Sequence, residues 1–185
     1  MIKMSIDANS FDKIIEKIEN SDIKHVSFDF WDTLYSSNPL FKEKRNQQLA
    51  EISHKDIIEI GEIISSLSRN HNSSFDSMNP CRDARALNTQ LLKQIGIEND
   101  LSLLINQLYG LFQSLPPILS NKGNQLVKYL YKKNISISIL SNTAFIPGDE
   151  IRTVLSKDNL LEYFNFCIFS DEVKNGKPSK LVFEK

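Results

Sequence analysis

The sequence predicts an α/β fold with a parallel sheet at its centre and a helical module inserted after the first strand. Three short runs of apolar, β-favouring residues are separated by stretches with helical periodicity, and each run ends abruptly in polar residues. Alternation of strand, helix and strand favours parallel pairing with right-handed crossovers. We therefore expect a Rossmann-like core of three layers, with strands at residues 26–30, 135–140 and 166–169.

The helical module is predicted at residues 37–115, and residues 1–36 and 116–185 are assigned to the α/β core. Within the module no convincing alternating run occurs, and apolar residues recur at helical spacing. The polar residues 69–74 are expected to form a mobile loop between the second and third of four helices. Those helices are predicted at residues 40–52, 55–67, 83–95 and 100–113.

Composition and charge are those expected of a soluble, folded chain. Its 185 residues are enough for one domain with a sizeable insertion. The 22 basic and 23 acidic residues nearly balance, so there is no bulk electrostatic affinity for nucleic acid or an anionic membrane. No signal-like segment opens the chain, and no apolar stretch is long enough to span a membrane. We expect a cytoplasmic protein that binds neither nucleic acid nor membrane.

The cysteines and histidines suggest no disulfide framework and no metal-binding motif. Cys81 and Cys167 are too few for a disulfide scaffold and are expected to be reduced. The three histidines lack the spacing of metal ligands. His25 is expected to be structural, and His54 and His71 to be exposed.

Asp29 is placed where an α/β protein binds its ligands. Val26, Phe28 and Phe30 alternate as in a strand, so Asp29 falls at the carboxyl end of that strand. Ligands bind at this edge of an open sheet because loops diverge there and helix N-termini point N–H groups outward. A carboxylate held there can attack an electrophile or bind a cation. Taken alone, Asp29 and Asp32 are more typical of a turn that ends a strand.

Polar residues follow all three predicted strands in a definite order. Asp29 follows the first, Ser141-Asn142-Thr143 follows the second, and Lys177-Pro178 comes after the third. In order, spacing and flanking residues, this set resembles the first three motifs of the haloacid dehalogenase (HAD) superfamily. The resemblance covers residues 24–36 and 117–185. It implies that the helical insertion is a type I cap, which closes over the site and excludes water; an ordinary helical subdomain without a gating role is the alternative.

The resemblance implies a role for each of these residues. Asp29 would be the nucleophile, and Lys177 would neutralise charge between Asp29 and the transferred phosphoryl group. Ser141 and the Asn142 backbone would hydrogen-bond the phosphoryl oxygens. A magnesium ion, Mg2+, would bridge Asp29 and substrate oxygens, with the backbone carbonyl of Trp31 as another ligand. Supporting roles in bracing the turn or in cation affinity are expected for Asp32, Thr33 and Asp171, although a solvent-facing carboxylate is the alternative for Asp171.

Trp31 departs from the pattern of the family's phosphatases. These typically have a second Asp two residues after the nucleophile, which protonates the leaving group and then activates water. An indole cannot perform that cycle, and Asp32 falls one position too late to replace the missing acid directly. A phosphatase for substrates with good leaving groups, a hydrolytic dehalogenase and a catalytically silent phospho-ligand-binding module all stay open. Arg45 does not suggest a halide site, because it is expected on a solvated helix face.

We expect a magnesium-dependent phosphatase that acts on a small phosphorylated metabolite through an aspartyl-phosphate on Asp29. The family's fourth motif, an acidic pair after a fourth strand, does not occur before Lys185. In the family that strand lies beside the first, so the first strand is expected at an edge of the sheet. Either a missing C-terminal segment or dimerisation is expected to complete the sheet.

Overall fold

The structure, a computed structural model, describes residues 8–76 and 83–183, which form five strands and eight α-helices. The strands are β1 (His25–Phe28), β2 (Tyr35–Ser36), β3 (Ile118–Leu119), β4 (Ser136–Ser141) and β5 (Phe166–Phe169). The helices are α1 (Ala8–Glu19), α2 (Pro39–Ser53), α3 (Ile57–Asp76), α4 (Ala84–Gln94), α5 (Leu101–Ser114), α6 (Asn121–Lys132), α7 (Gly148–Lys157) and α8 (Ser170–Val173). Single 3-10 turns lie at Leu161–Tyr163 and Lys180–Val182. No helix in the described ranges is long and apolar enough to cross a membrane.

A three-stranded parallel sheet forms the centre of the core, in the order β1-β4-β5. The central strand, β4, is buried along almost its whole length, and its isoleucines and leucine alternate with small serines that fit the same buried environment. Phe28 lies opposite Ile139 and Ser141 lies opposite Phe169, so the three strands end at one edge. The predicted α/β core with a parallel sheet is confirmed. Among the described residues, β1 lies at an edge of this sheet.

The turn after β1 anchors the core. Phe30, Leu34 and Tyr35 are almost completely buried, and the rings of Phe30 and Tyr35 stack with their centroids 4.5 Å apart. The same apolar cluster includes residues from α1, α6 and α7. These residues are Ile18, Leu126, Val127, Leu130, Ile151, Val154 and Leu155.

Helices α2–α5 form a second apolar cluster of their own. Its buried members include Leu49, Ile60, Leu91 and Ile105, one from each helix. The antiparallel ribbon of β2 and β3 lies where the chain leaves the core and where it returns. Asn38 joins the two crossings, because its Oδ1 caps α2 by accepting from Leu40 N while its Nδ2 donates to the Pro116 carbonyl.

Two expectations for the insertion are wrong. Residues 69–74 do not form a loop but continue α3. His71, on this stretch, is predicted to be exposed but is only 5% exposed. Its Nε2 lies 2.8 Å from the carbonyl oxygen of Thr143 in the core. The polarity of the stretch therefore reflects hydrogen bonding to core backbone as well as contact with solvent.

Cys81 lies outside the described residues, and Cys167 is a free, half-buried cysteine in β5. Burial raises the pKa of the Cys167 thiol to about 11. Cys167 is therefore a protonated thiol at neutral pH, as expected for a structural residue.

Replacing Tyr35 with Phe should remove one hydrogen bond and keep the ring packing. The Tyr35 side chain is 1% exposed and its hydroxyl donates to Asp158 Oδ2 at 2.7 Å. We expect Tyr35→Phe to lower the free energy of unfolding by about 1–2 kcal/mol, because the acceptor is charged but partly solvated. Urea denaturation measures the change. The control is Tyr131→Phe, at a ring that is 55% exposed, and equal losses in both variants would contradict the expectation.

Candidate functional site

Three side chains from separate parts of the chain meet at the carboxyl edge of the sheet. Ser141 Oγ donates to Asp29 Oδ1 at 2.9 Å, and Lys177 Nζ lies 2.9 Å from Asp29 Oδ2. Parallel pairing of β1 with β4 brings Asp29 and Ser141 together, because both follow strands that end at the same edge. The loop after α8, the short helix that follows β5, supplies Lys177. The structure thus brings together the three residues that the motifs single out.

The two oxygens of the Asp29 carboxylate have different surroundings. Oδ1 accepts hydrogen bonds from Ser141 Oγ and from the Phe30 backbone N–H, the latter at 2.8 Å. Oδ2 faces the ammonium group of Lys177. The Asp29 side chain is still 26% exposed, so a ligand can reach it. Oδ2, with fewer donors around it, is the better placed of the two oxygens to attack an electrophile.

Asn142 fixes the backbone of Lys177. Its Oδ1 accepts from Lys177 N at 2.7 Å, and its Nδ2 donates to the Lys177 carbonyl at 2.8 Å. The peptide bond between Lys177 and Pro178 is cis. Because both polar atoms of the amide side chain hold one residue, Asn142 positions the lysine. The sequence indicates a backbone role for Asn142 and gives no sign of this side-chain clamp.

Asp171 and Thr143 form a buried hydrogen-bond network beneath these residues. Thr143 Oγ1 donates to Asp171 Oδ1 at 2.7 Å, and the Gly148 backbone N–H donates to Asp171 Oδ2 at 3.2 Å. Ser170 Oγ accepts from Thr143 N. Asp171 is only 8% exposed, so the alternative of a solvent-facing carboxylate is wrong. Its carboxylate ties the loop after β4 to the start of α7.

A left-handed residue and a backbone hydrogen bond define the turn that carries Trp31, Asp32 and Thr33. Asp32 adopts a φ of 56°, its backbone N–H donates to the Tyr35 carbonyl at 2.8 Å, and its side chain is exposed. Thr33 is half-buried in the same turn. The Trp31 ring packs edge-on against Phe112 of α5. The indole thus points toward the helical module.

A cavity of about 210 Å³ lies between the helical module and the core loops beside Trp31. Its walls contain four aromatic rings, two cationic side chains, and Ala144 and Ile146, which flank one of the aromatic residues. These lining residues are Trp31, Phe41, Phe112, Lys42, Arg45, Ala144, Phe145 and Ile146.

Arg45 does not lie on a solvated helix face, so that expectation is wrong. The guanidinium lies over the Phe41 ring, 5.6 Å from its centroid, and donates to Asn46 Oδ1. Burial lowers the pKa of Arg45 to about 10, which still leaves it charged at neutral pH. The i,i+4 spacing of Phe41 and Arg45 on α2 was the sequence signal for this shared helix face.

The donor set at Asp29 is small for a divalent cation. Within the described ranges, no group of three or more His, Cys, Asp or Glu side chains is placed to hold a metal. Asp29 offers one carboxylate, and the Trp31 carbonyl is the second donor that the motif implies. Magnesium is commonly held by one or two carboxylates together with substrate phosphates and water. The residues therefore fit a magnesium ion that is shared with a phosphorylated substrate, and they do not form a complete protein cage.

Comparison with known proteins gives matches in structure only. No family model matches the sequence, and no curated protein matches it. YfnB from Bacillus subtilis, solved with magnesium bound, has a TM-score of 0.67 and 18% identity, over 89% of this chain and 72% of YfnB. A HAD phosphatase from Thermococcus onnurineus gives 0.58 and 18%, over 88% and 69%. L-2-haloacid dehalogenase from Xanthobacter autotrophicus gives 0.56 and 17%, over 88% and 62%.

Phosphatase and dehalogenase structures are thus both similar to this chain at low sequence identity. Similarity at this level is informative about architecture and not about the reaction. It agrees with the order of the three motifs and with the parallel sheet that carries them. The chain has the fold of the HAD superfamily.

Proposed function

We propose that this chain is a HAD-like hydrolase, a magnesium-assisted phosphatase that acts on a small phosphorylated metabolite. The observation that supports it most directly is the Asp29 carboxylate, held by Ser141 and Lys177 yet still open to a ligand. An anionic nucleophile can approach a phosphate ester only where cations offset the charge. Lys177 provides such a cation within 2.9 Å of the attacking group.

In the first step, Asp29 Oδ2 forms a bond to phosphorus while the bond from phosphorus to the leaving oxygen breaks. The electron pair of that bond departs with the leaving group, and Lys177 offsets the charge on the phosphoryl oxygens. Ser141, already a donor to Asp29, holds the carboxylate in position. Magnesium, when bound by Asp29 and the Trp31 carbonyl, supplies further charge neutralisation.

In the second step, water attacks the phosphorus of the aspartyl-phosphate and the bond to Asp29 breaks. Phosphate leaves, and the carboxylate is regenerated. No carboxylate stands in the place of Trp31 to take the proton from this water, so solvent or the phosphoryl group accepts it. The second step therefore proceeds without general base catalysis, is expected to be slow, and relies on the intrinsic reactivity of the aspartyl-phosphate, which is an acyl phosphate.

Trp31 also limits the substrate. Without an acid at this position, the leaving oxygen must depart as an anion. Aryl phosphates, acyl phosphates and phosphoanhydrides meet this requirement, whereas simple alkyl phosphates do not. The proposal thus favours a phosphorylated metabolite with a stable leaving anion.

A hydrolytic dehalogenase is the second candidate, and the same residue favours it. A halide leaves without a proton, so Trp31 is no obstacle. Asp29 Oδ2 would attack the carbon that carries the halogen, the carbon–halogen bond would break with its electron pair on the halide, and water would then hydrolyse the ester. The similarity to a dehalogenase structure is compatible with this chemistry.

Replacing the nucleophile tests the proposed role of Asp29. Asp29→Asn should lower phosphatase turnover of 4-nitrophenyl phosphate by at least about a thousandfold, because the amide cannot form the covalent intermediate. The control is Asp22→Asn, at a side chain that is 85% exposed beside Lys24. Steady-state kinetics with magnesium measures both variants, and unchanged turnover in Asp29→Asn would remove the proposed mechanism.

The dependence on the leaving group tests the proposed effect of Trp31. With the native protein, kcat/KM should fall steeply across aryl phosphates as the pKa of the leaving phenol rises, and alkyl phosphates should be the poorest substrates. Trp31→Asp should flatten this dependence and raise alkyl phosphate turnover by about a hundredfold, because the new carboxyl group can donate a proton. Trp31→Phe is the matched control, and its kcat/KM should keep the steep dependence on the leaving group. A native protein with no leaving-group dependence would contradict the proposal.

Chelation separates the two candidate reactions. The phosphatase proposal expects phosphate release that stops in EDTA and returns with added magnesium, and no halide release from 2-chloropropionate. Ion chromatography of both products in parallel measures the outcome. Chloride release that persists in EDTA and disappears in Asp29→Asn would favour the dehalogenase instead.

A further inference from the structure

The cavity beside Trp31 has a composition that the proposed chemistry at Asp29 does not require. Aromatic rings of Trp31, Phe41 and Phe112 form much of its wall, and Phe41 and Phe112 themselves meet edge to face at 5.5 Å. Such walls suit a flat apolar group. Trp31 lies two residues after Asp29 along the chain, so the cavity adjoins the turn that follows the proposed nucleophile.

Arg45 brings a positive charge to this cavity, and no carboxylate in the described ranges pairs with it. Among the described residues its side-chain partners are neutral, the Asn46 amide and the Phe41 ring. By contrast, Arg152 is paired with both Glu172 and Asp149. A partly buried cation without an anion is unfavourable, because the lost hydration is not replaced by a countercharge.

Lys42 adds to the positive potential of the same space. It precedes Arg45 by three residues on α2, so the two side chains lie on one face of that helix, and both line the cavity. An anion that entered here would gain a guanidinium able to donate two parallel hydrogen bonds, together with a second cation nearby.

The inference rests on the proposed function and names its substrate class. We infer that the cavity holds the leaving portion of the substrate, an aromatic or similarly flat apolar body with a second anionic group that pairs with Arg45. Two separate features agree on this class. With Trp31 in place of an acid, the leaving group must depart as an anion, which a phenolate does. The cavity walls and Arg45 suit an anionic aryl group. A carboxylate or a second phosphate would satisfy Arg45 equally, and the experiment distinguishes them.

Trp31 provides the readout for a binding experiment that needs no turnover. It is the only tryptophan of the chain and it lines the cavity, so its fluorescence should change when the cavity is filled. We would titrate Asp29→Asn, which cannot complete the reaction, with phenyl phosphate, 4-carboxyphenyl phosphate, 1,4-phenylene bisphosphate and benzoate. All titrations are at one ionic strength with magnesium present.

We expect 4-carboxyphenyl phosphate or the bisphosphate to bind at least about tenfold more tightly than phenyl phosphate, the effect of a charge-assisted hydrogen bond. The tighter of the two identifies the second anion as a carboxylate or a phosphate. Adding Arg45→Gln should reduce the ratio of these affinities to near one. Adding Lys44→Gln, at an exposed residue of the same helix that does not line the cavity, should leave it intact.

Equal affinities for all three phosphates, or an equal loss of preference in the Arg45 and Lys44 variants, would overturn the inference. Circular dichroism checks that Arg45→Gln is folded, and Arg45→Lys, which keeps the charge but not the two-pronged donor, should retain only part of the preference. A preference that persists while Asp29-dependent turnover is absent would refute the proposed phosphatase and leave the anion site standing. Benzoate, which has no phosphoryl group, tests that site by itself and should bind more weakly to Arg45→Gln.

Discussion

Parallel pairing of β1 with β4 is the constraint on which the site depends. It ends both strands at one edge, so that Asp29 and Ser141 meet although 112 residues separate them in sequence. A one-residue change of register would turn the side chains of a strand to the opposite face. The buried phenylalanines and isoleucines of the two strands oppose such a slip, because it would move them out of the core. Packing of apolar residues thus determines the position of the polar ones.

Lys177 does not follow a strand directly, and hydrogen bonds determine its position instead. Asn142 holds the lysine backbone from both sides, and the network of Thr143 and Asp171 fixes the loop to which Asn142 belongs. A flexible lysine gains little from a solvated ion pair, since fixing its side chain costs conformational entropy. A backbone that is already fixed lowers this cost. The amide of Asn142 is therefore as much a part of the site as the ammonium that it positions.

The strands and the motif order could be predicted from sequence because both are local. Apolar runs with abrupt polar ends are visible in a window of a few residues. The roles of His71 and the Asn142 side chain could not, because each depends on a partner that only the folded chain provides. His71 pairs with a carbonyl 72 residues away, and Asn142 with a backbone 35 residues away. A polar residue on a helix is usually exposed to solvent, and His71 is buried instead because the core supplies a hydrogen-bond partner.

The helical module and the proposed nucleophile both contact the loop that follows β4. His71 and Asn88 of the module bond to the carbonyls of Thr143 and Phe145, directly after the residues that contact Asp29 and Lys177. Since the same segment forms a wall of the cavity, a ligand seated there touches the module and the catalytic loop together. Trp31 lines the cavity from the other side, and in the proposed mechanism it also stands where a proton donor would be needed. Under that proposal, a single residue both removes general acid catalysis and adds an apolar binding surface, and a substrate that tolerates the first benefits from the second.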